Sequence, residues 1–341
     1  MPAFRPARRQ TLQRTATTLA ALAAPALFSP ATQALAAGRA TLDDAVRRFG
    51  ALAPQSAGCL VVADPPSGSG WQSAFAADRL LFVGSAVKTY ILGQFLLDVE
   101  SGHDSRNTLA PCTVDDAVRS PGSPVLIGLT GQTQYRTALE AMISHSDNIG
   151  TDIALAAVGP ARVRELVHRL GLTSVRIPDS TRKLFSYLAG AAAGTDLGWS
   201  GMQKLERGES LGLTPRTDVI NDKESMTSSC ADLVSWYRQV LAGKLFQKPA
   251  SLVEFKRISA MADAIWMTVP DGVIAYGKGG SLDWEQFHAL CFAGQMQVGK
   301  TPVTFCFTAN WEGGKTSVER TGEFIESVRA VLHAAADAAK A

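Results

Sequence analysis

The chain has 341 residues, 46% of them hydrophobic and 19% charged, with 33 lysines and arginines against 31 aspartates and glutamates. That composition supports a large buried core, in one big domain or two intimate lobes, and excludes a disordered or collagen-like chain. Part of the small basic surplus is Arg5, Arg8, Arg9 and Arg14, so the remainder is near neutral or slightly acidic and gives no case for nucleic acid as a partner.

Residues 1–37 read as an export signal: a basic start, a short apolar run from Thr17 to Phe28, and Ala34-Leu35-Ala36 as a small-x-small cleavage site. Arg8-Arg9 followed by Gln-Thr-Leu-Gln is similar to a twin-arginine signal, which implies export in a folded state, to the periplasm or the medium. The apolar run is short for a hydrocarbon layer of about 30 Å, and no later segment is long and apolar enough, so stable membrane insertion is not expected. Five cysteines is an odd number where disulfides are permitted, so at least one stays unpaired in a monomer. Cys291 and Cys306 flank the turn around Gln297 to Thr301 almost symmetrically; they either face each other across a hairpin or are buried thiols.

Thr41-Leu-Asp-Asp-Ala-Val-Arg-Arg-Phe opens on a capping residue and keeps helical periodicity, predicting a helix over 41–52. Apolar, β-branched Gly58 to Asp64 predicts a strand, Pro65-Pro66-Ser-Gly-Ser-Gly70 a turn, and Trp71 to Phe75 the returning strand of a hairpin. From Lys88 to about Lys256 the pattern is helical, with apolar residues three and four apart in 89–101, 134–144, 149–158, 161–170 and 229–242. Strand patterns return at 272–278, 285–292 and 302–311, and a long helix over 316–339 ends the chain. This order predicts an α+β fold: an antiparallel sheet built from both ends of the chain, flanked by the N- and C-terminal helices, with an all-α lobe inserted. The expected organisation is a single catalytic domain over 38–341, with an α/β lobe of 38–84 and 258–341 and an all-α lobe of 85–257. The glycine-rich stretch from Leu184 to Ser228 has no regular pattern and reads as a functional loop.

Ser85-Ala86-Val87-Lys88 lies where strand-like Leu80 to Val83 gives way to a helix. Three residues of separation at a helix start bring hydroxyl and amine onto one face, and the free N–H groups there are suited to an oxyanion. A lysine made neutral by burial can take the proton of such a serine. Ser-x-x-Lys alone arises often by chance. Two further motifs change its weight: Ser146-Asp147-Asn148 just after a predicted helix, and Lys278-Gly279-Gly280-Ser281 closing a predicted strand beside a turn.

Together the three motifs resemble the Ser-x-x-Lys, Ser-Asp-Asn and Lys-Thr-Gly elements of class A β-lactamases and the related penicillin-binding proteins, in order, spacing and element. The resemblance runs from Thr41 to the last helix and implies the β-lactamase/transpeptidase-like architecture. It implies Ser85 as nucleophile, Lys88 as its base partner and Ser146 as relay of the proton to the leaving amine. Asn148 would hold the substrate's side-chain amide and Lys278 would supply positive potential near its carboxylate. Gly280 and Ser281 would line the substrate site, the N–H groups of Ser85 and Ser281 forming the oxyanion hole.

Three departures qualify the resemblance. Gly279 stands where the family has a carboxylate-binding hydroxyl. The assisting arginine, ten residues beyond Lys278, falls on His288, which either binds substrate when protonated or makes a structural hydrogen bond. The chain is also longer than a class A enzyme between Ser146 and Lys278, which leaves two alignments of the loop that carries the deacylating glutamate. Counting back from Asp222 makes Glu209 that general base, with an Arg207–Asp222 ion pair at the loop's neck and Leu213 in place of the family's asparagine. Placing Val175 to Arg182 at the loop entrance instead leaves only Asp179 there and makes Glu209 a surface charge.

The expected function is acyl transfer to water through an ester on Ser85, with the β-lactam amide as the substrate the resemblance implies. An esterase or D-alanyl carboxypeptidase, and a slowly deacylating penicillin-binding or sensor protein, use the same residues. Neither metal nor cofactor is expected. The partner is a small acyl substrate and the protein a monomer. His145 reads as a structural neighbour of Ser146, and Trp284 as a core or rim aromatic close enough to Lys278 to edge the pocket.

Overall fold

The computed structural model describes residues 30–340, so most of the predicted export signal lies outside the described residues. Helix α1 (Pro30–Gly50) begins well ahead of Thr41 and is followed by β1 (Ala57–Ala63), β2 (Trp71–Phe75) and the two-residue β3 (Leu81–Phe82). A single 3₁₀ turn, Gly84–Val87, then winds directly into α2 (Lys88–Ser101). The next elements are β4 (Pro111–Val114), β5 (Gly131–Gln134), α3 (Tyr135–Ser144), α4 (Asn148–Val158), α5 (Pro160–Arg169), α6 (Thr181–Leu188) and α7 (Gly198–Glu206). Then come β6 (Thr227–Ser228), α8 (Cys230–Leu241), α9 (Pro249–Ser259) and α10 (Asp263–Thr268). The hairpin strands β7 (Ile274–Trp284), β8 (Phe287–Val298) and β9 (Thr301–Glu312) lead into α11 (Ser317–Lys340).

The main sheet has the order β2-β1-β9-β8-β7 and is antiparallel throughout, so the N-terminal hairpin and the three C-terminal strands share one layer. β1 is an interior strand, paired on both sides and buried at every position, which is why Gly58-Cys-Leu-Val-Val carries no polar alternation. One face is covered by α1 and α11, where Phe49 meets Phe307 and Phe324 edge to face at 5.3 and 5.7 Å. The other face packs on α8, whose buried Trp236 in turn packs against Tyr90 of α2 at 4.9 Å and donates to Thr89 Oγ1 at 2.8 Å. Each such ring contributes about 1.5–3 kcal/mol by leaving water. No helix among the described residues is long and apolar enough to cross a membrane.

Three details differ from the sequence reading. Lys278 to Ser281 do not close a strand; they sit in the middle of β7, the edge strand, whose turn comes at Glu285 and Gln286. The stretch from 184 to 228 is not uniformly irregular, for it contains the end of α6 and all of α7. Cys291 pairs with Thr308 and Cys306 with Ala293, so the two cysteines are out of register, and all five cysteines are buried free thiols. The hydroxyl of Thr308 fills the space between them, 3.3 Å from Cys291 Sγ and 3.7 Å from Cys306 Sγ.

Candidate active site

The segment that delivers Ser85 is held from two sides before the turn begins. Phe82 N–H donates to Asn310 Oδ1 and Asn310 Nδ2 donates to Phe82 O, both at 2.9 Å, while Val83 N–H donates to Met226 O at 2.9 Å. Gly84 then takes the left-handed conformation, φ +52°, and lies against the backbone of Ser281, where a Cβ would stand 3.0 Å from its carbonyl oxygen. Gly280 is closer still. A Cβ there would stand 2.1 Å from Val83 O and 2.8 Å from the amide nitrogens of Ser85 and Ala86. The two glycines let the edge strand press onto the turn, which puts the Ser281 backbone beside the N–H groups at the start of α2.

Ser85 is half-buried at the mouth of this turn, while Lys88 one turn on is fully buried. Lys88 Nζ donates to Ser146 O at 2.5 Å and Asn148 Oδ1 at 2.7 Å, and lies 3.3 Å from Ser146 Oγ. Burial, and next the nearby Lys278 ammonium, push its pKa well below the ordinary lysine value, against the opposing pull of Asp147 and Asp152. Lys278, 1% exposed, is lowered to about 8 by burial, with Asp263 and Cys291 acting the other way. Two buried lysines thus repel each other across one small space, and a neutral amine at Lys88 relieves that repulsion.

Ser146 adopts φ +59°, an uncommon conformation for a residue with a side chain, and it is over-determined by its neighbour. Buried Asp147 caps α4 through Gly150 N–H at 2.9 Å and accepts from Val125 and Leu126 N–H, both at 2.9 Å, tying the motif to the preceding loop. Asn148 Nδ2 donates to Pro121 O at 2.6 Å, which fixes the amide so that its oxygen faces Lys88. The structure therefore brings Ser85, Lys88, Ser146, Asn148, Lys278, Gly280 and Ser281 to one place, and His145 lies beside them, exposed and bonded to Ser144 Oγ at 2.9 Å.

Two of the expected residues are elsewhere. Glu209 is exposed on the surface with its carboxylate held by Arg207, and it does not line the cavity at Ser85. The expected Arg207–Asp222 pair is absent among the described residues, since Asp222 meets Lys223 at 3.4 Å. The loop is closed instead by Arg182, whose Nε donates to both oxygens of Asp196 at 2.7 and 2.9 Å and whose Nη1 reaches Asp116 O at 2.7 Å. This agrees with the alignment that starts the loop at Val175 to Arg182. His288 is buried in β8 and bonded through Nδ1 to Asp283, its cross-strand partner, at 2.7 Å; Asp283 in turn accepts from Ser317 N–H at 2.7 Å, at the start of α11. That geometry is the structural alternative, because the ring is spent on joining the hairpin to the last helix. Trp284 donates to Arg216 O at 2.9 Å and braces the long loop rather than the cavity.

The cavity at Ser85, about 40 Å³, is walled by Asn148, Thr181, Leu184, Phe185 and Met226. Sequence reasoning missed this α6 wall. Thr181 is anchored on Asp152, which accepts from Thr181 N–H at 2.7 Å, Thr181 Oγ1 at 2.8 Å and Arg182 N–H at 3.3 Å. Burial raises the Asp152 carboxyl to about 6, against those three hydrogen bonds. Two wider surface clefts, about 610 and 670 Å³, contain none of the motif residues.

Comparison with known proteins agrees with this geometry. Residues 41–294 match the model of the beta-lactamase enzyme family. The β-lactamase of Streptomyces albus G is 32% identical over 177 residues, covering 49% of this chain, and the chain spans 56% of that relative's length. Among solved structures the fold matches the TLA-3 extended-spectrum β-lactamase, with TM-score 0.65 and 13% identity over 87% of this chain and 99% of that one. It also matches PBP-A, with TM-score 0.60 and 16% identity over 85% and 95%; a variant of PBP-A is solved as an acyl-enzyme complex with penicillin G. With its three motifs converged at one cleft and a family match across most of its length, the chain belongs to the β-lactamase enzyme family.

Proposed function

We propose that this protein is a serine hydrolase of class A type that opens the β-lactam amide by acylating Ser85. The observation that carries the reading is the buried, depressed Lys88 bonded to both Ser146 and Asn148 within one turn of a half-exposed serine. In the acylation step Ser85 Oγ attacks the carbonyl carbon as its proton passes to the neutral Lys88 amine. The oxyanion is held by the N–H groups of Ser85 and Ser281, which the Gly280 contact keeps adjacent. Lys88 returns the proton through Ser146 to the leaving nitrogen, and the C–N bond breaks. Lys278 offers its charge to the substrate carboxylate and Asn148 its remaining N–H to the acyl side chain.

A second reading shares the acylation step and differs only in deacylation. Among the described residues no carboxylate lines the cavity at Ser85, whose α6 wall is Thr181, Leu184 and Phe185, and this favours slow release of the acyl group. In both readings the chain is exported and cleaved so that the mature protein begins near Ala37, a proposal resting on the basic, apolar and small-residue order of the segment before it. Its state as a monomer is likewise proposed. The test is incubation of the purified protein with a chromogenic cephalosporin, followed by intact mass. Ring opening or a stable adduct, either of them lost in Ser85→Ala, supports the nucleophile; turnover separates hydrolysis from trapping. Neither product with the wild-type chain overturns the assignment.

A further inference from the structure

All five cysteines are buried free thiols, in a chain proposed to be exported to where disulfides form. Cys291 in β8 and Cys306 in β9 lie closest in sequence, 15 residues apart, whereas the next nearest pair, Cys59 and Cys112, is 53 apart. Loop closure in an unfolded chain falls with about the 3/2 power of length, so the first pair meets roughly 7-fold more often than the second. It is also a pair that the native sheet does not let join. Cys291 lies opposite Thr308 and Cys306 opposite Ala293, a diagonal offset of two residues. Diagonal neighbours stand about 7–8 Å apart at Cα, beyond the roughly 4.4–6.8 Å that a disulfide spans. The Thr308 hydroxyl occupies the space between the sulfurs, and Cys230 Sγ closes on it from α8 at 3.8 Å.

Resting on the readings of the chain as exported and of Ser85 as its nucleophile, we propose that Cys291 and Cys306 are a redox trap. Joined in the unfolded chain they lock β8 and β9 two residues out of register, so the site assembles only when the chain folds with these thiols reduced and meets oxidants afterwards. Bringing Cys291 opposite Cys306 slides the strands by about 7 Å. A slip of two residues keeps every side chain on its own face, so the hydrophobic pattern does not reject it. In the reduced chain the turn does: Gly299-Lys300, with Gly299 at φ +59°, is a glycine-first two-residue hairpin loop, and the slip would replace it with Val298-Gly299. A covalent bond overrides that preference. The slip divides the site, because β8 carries β7 with Lys278 to Ser281, whereas β9 carries Asn310, which clamps Phe82 ahead of Ser85. With oxidised glutathione as oxidant, one cysteine thiolate attacks its disulfide and releases one glutathione, and the other cysteine thiolate displaces the second; two protein thiols become one disulfide and one glutathione disulfide becomes two thiols. Once folded, the sulfurs are shielded. Burial pushes the Cys59 and Cys306 thiols well above their ordinary range and Cys112 up to about 11, leaving little thiolate to attack. Export in a folded state, which the similarity of the Arg8-Arg9 segment to a twin-arginine signal implies, would deliver the chain already shielded.

The experiment unfolds the purified chain in urea with dithiothreitol and dilutes it into reduced or oxidised glutathione. Recovery of tryptophan fluorescence, to which buried Trp236 contributes, reads folding; the penicillin adduct on Ser85, by intact mass, reads the site; peptide mapping without reduction reads the sulfur links. Folded wild type kept in oxidised glutathione should hold its mass and its adduct yield. Refolding in oxidised glutathione should give about 10-fold less adduct than in reduced glutathione, with Cys291–Cys306 as the main link. Cys306→Ala and, independently, Cys291→Ala should narrow that ratio to about 2-fold, each judged against its own refolding in reduced glutathione. Equal wild-type recovery in both buffers, a map dominated by another link, or a ratio that survives both variants overturns the trap, and a mass gain by the folded chain overturns the shielding. If neither variant refolds in reduced glutathione, the wild-type map decides. If the reduced wild type recovers its fluorescence yet forms no adduct, the Ser85 reading fails and the fluorescence ratio decides the trap.

Discussion

The contact between Gly280 and the nucleophile turn gives the sharpest test of how the site is assembled. In Gly280→Ala the new methyl carbon would start 2.1 Å from Val83 O and 2.8 Å from the amide nitrogens of Ser85 and Ala86. Carbon and oxygen rest no closer than about 3.3 Å, so strand and turn must part by about 1 Å. No flexible side chain can absorb that shift: all three atoms are backbone, and the segment is clamped by Asn310 and Met226. Overpacking of this kind costs about 1–3 kcal/mol of stability, and misplacing a nucleophile by about 1 Å costs on the order of 100-fold in rate. The neighbouring Gly279→Ala is the internal control, since its Cβ meets the Ala264 methyl at 3.3 Å and Cys291 O at an ordinary 3.7 Å, and it should stay within about 3-fold of wild type. Time-resolved intact mass with a penicillin gives the acylation rate, and urea unfolding reports whether the variant is folded. A folded Gly280→Ala chain that acylates within about 3-fold of wild type would refute the argument that this close approach positions Ser85.

Three other outcomes derive from the same geometry. Glu209→Gln should leave deacylation within about 2-fold, because the carboxylate is exposed and bound to Arg207; accumulation of acyl-enzyme in a rapid-quench time course would return Glu209 to the mechanism. Acylation by a penicillin should rise with pH as Lys88 loses its proton, then fall as pH passes about 8 and Lys278 loses the charge that holds the carboxylate. A neutral ester should lack that upper limb, and an identical fall for both substrates would remove Lys278 from carboxylate binding. Asp152 has its folded pKa raised from 3.8 to about 6, so the folded state binds a proton before the unfolded state does. Stability from this group therefore grows as pH falls from about 6 toward 4, by about 3 kcal/mol in all. Urea unfolding of wild type and Asp152→Asn across that window should show the wild type gaining on the variant by about this amount, whereas a constant difference would mean that folding does not raise the Asp152 pKa.

What the sequence made legible is the half of the site carried by short motifs on regular elements. Ser85 and Lys88 share a face because three residues separate them at a helix start, and Ser146 to Asn148 form a cap, so spacing alone places them. The glycine pair at 279 and 280 misleads, because two glycines read as a turn; the reason for Gly280 is a close approach of backbones, which no local pattern encodes. Glu209 becomes a candidate only by counting from an assumed Arg207–Asp222 neck, whereas the loop is closed by Arg182 on Asp196. Counting cannot tell which arginine meets which aspartate once a loop has gained residues.

The α6 wall illustrates the same divide, yet one part of it was readable. Asp152 follows Asn148 by four residues on α4, so helical geometry sets both on one face, a turn apart. Asn148 faces Lys88, and Asp152 therefore stands close enough for its charge to act on that lysine while it holds the first turn of α6. The spacing locates a second carboxylate beside the lysine without any alignment. What it does not give is the partner, because Thr181 lies 29 residues away and reaches Asp152 only through the path of the loop. The group at Ser85's outer wall is thus set by tertiary closure, and it belongs to a part of the site that is not written as a motif.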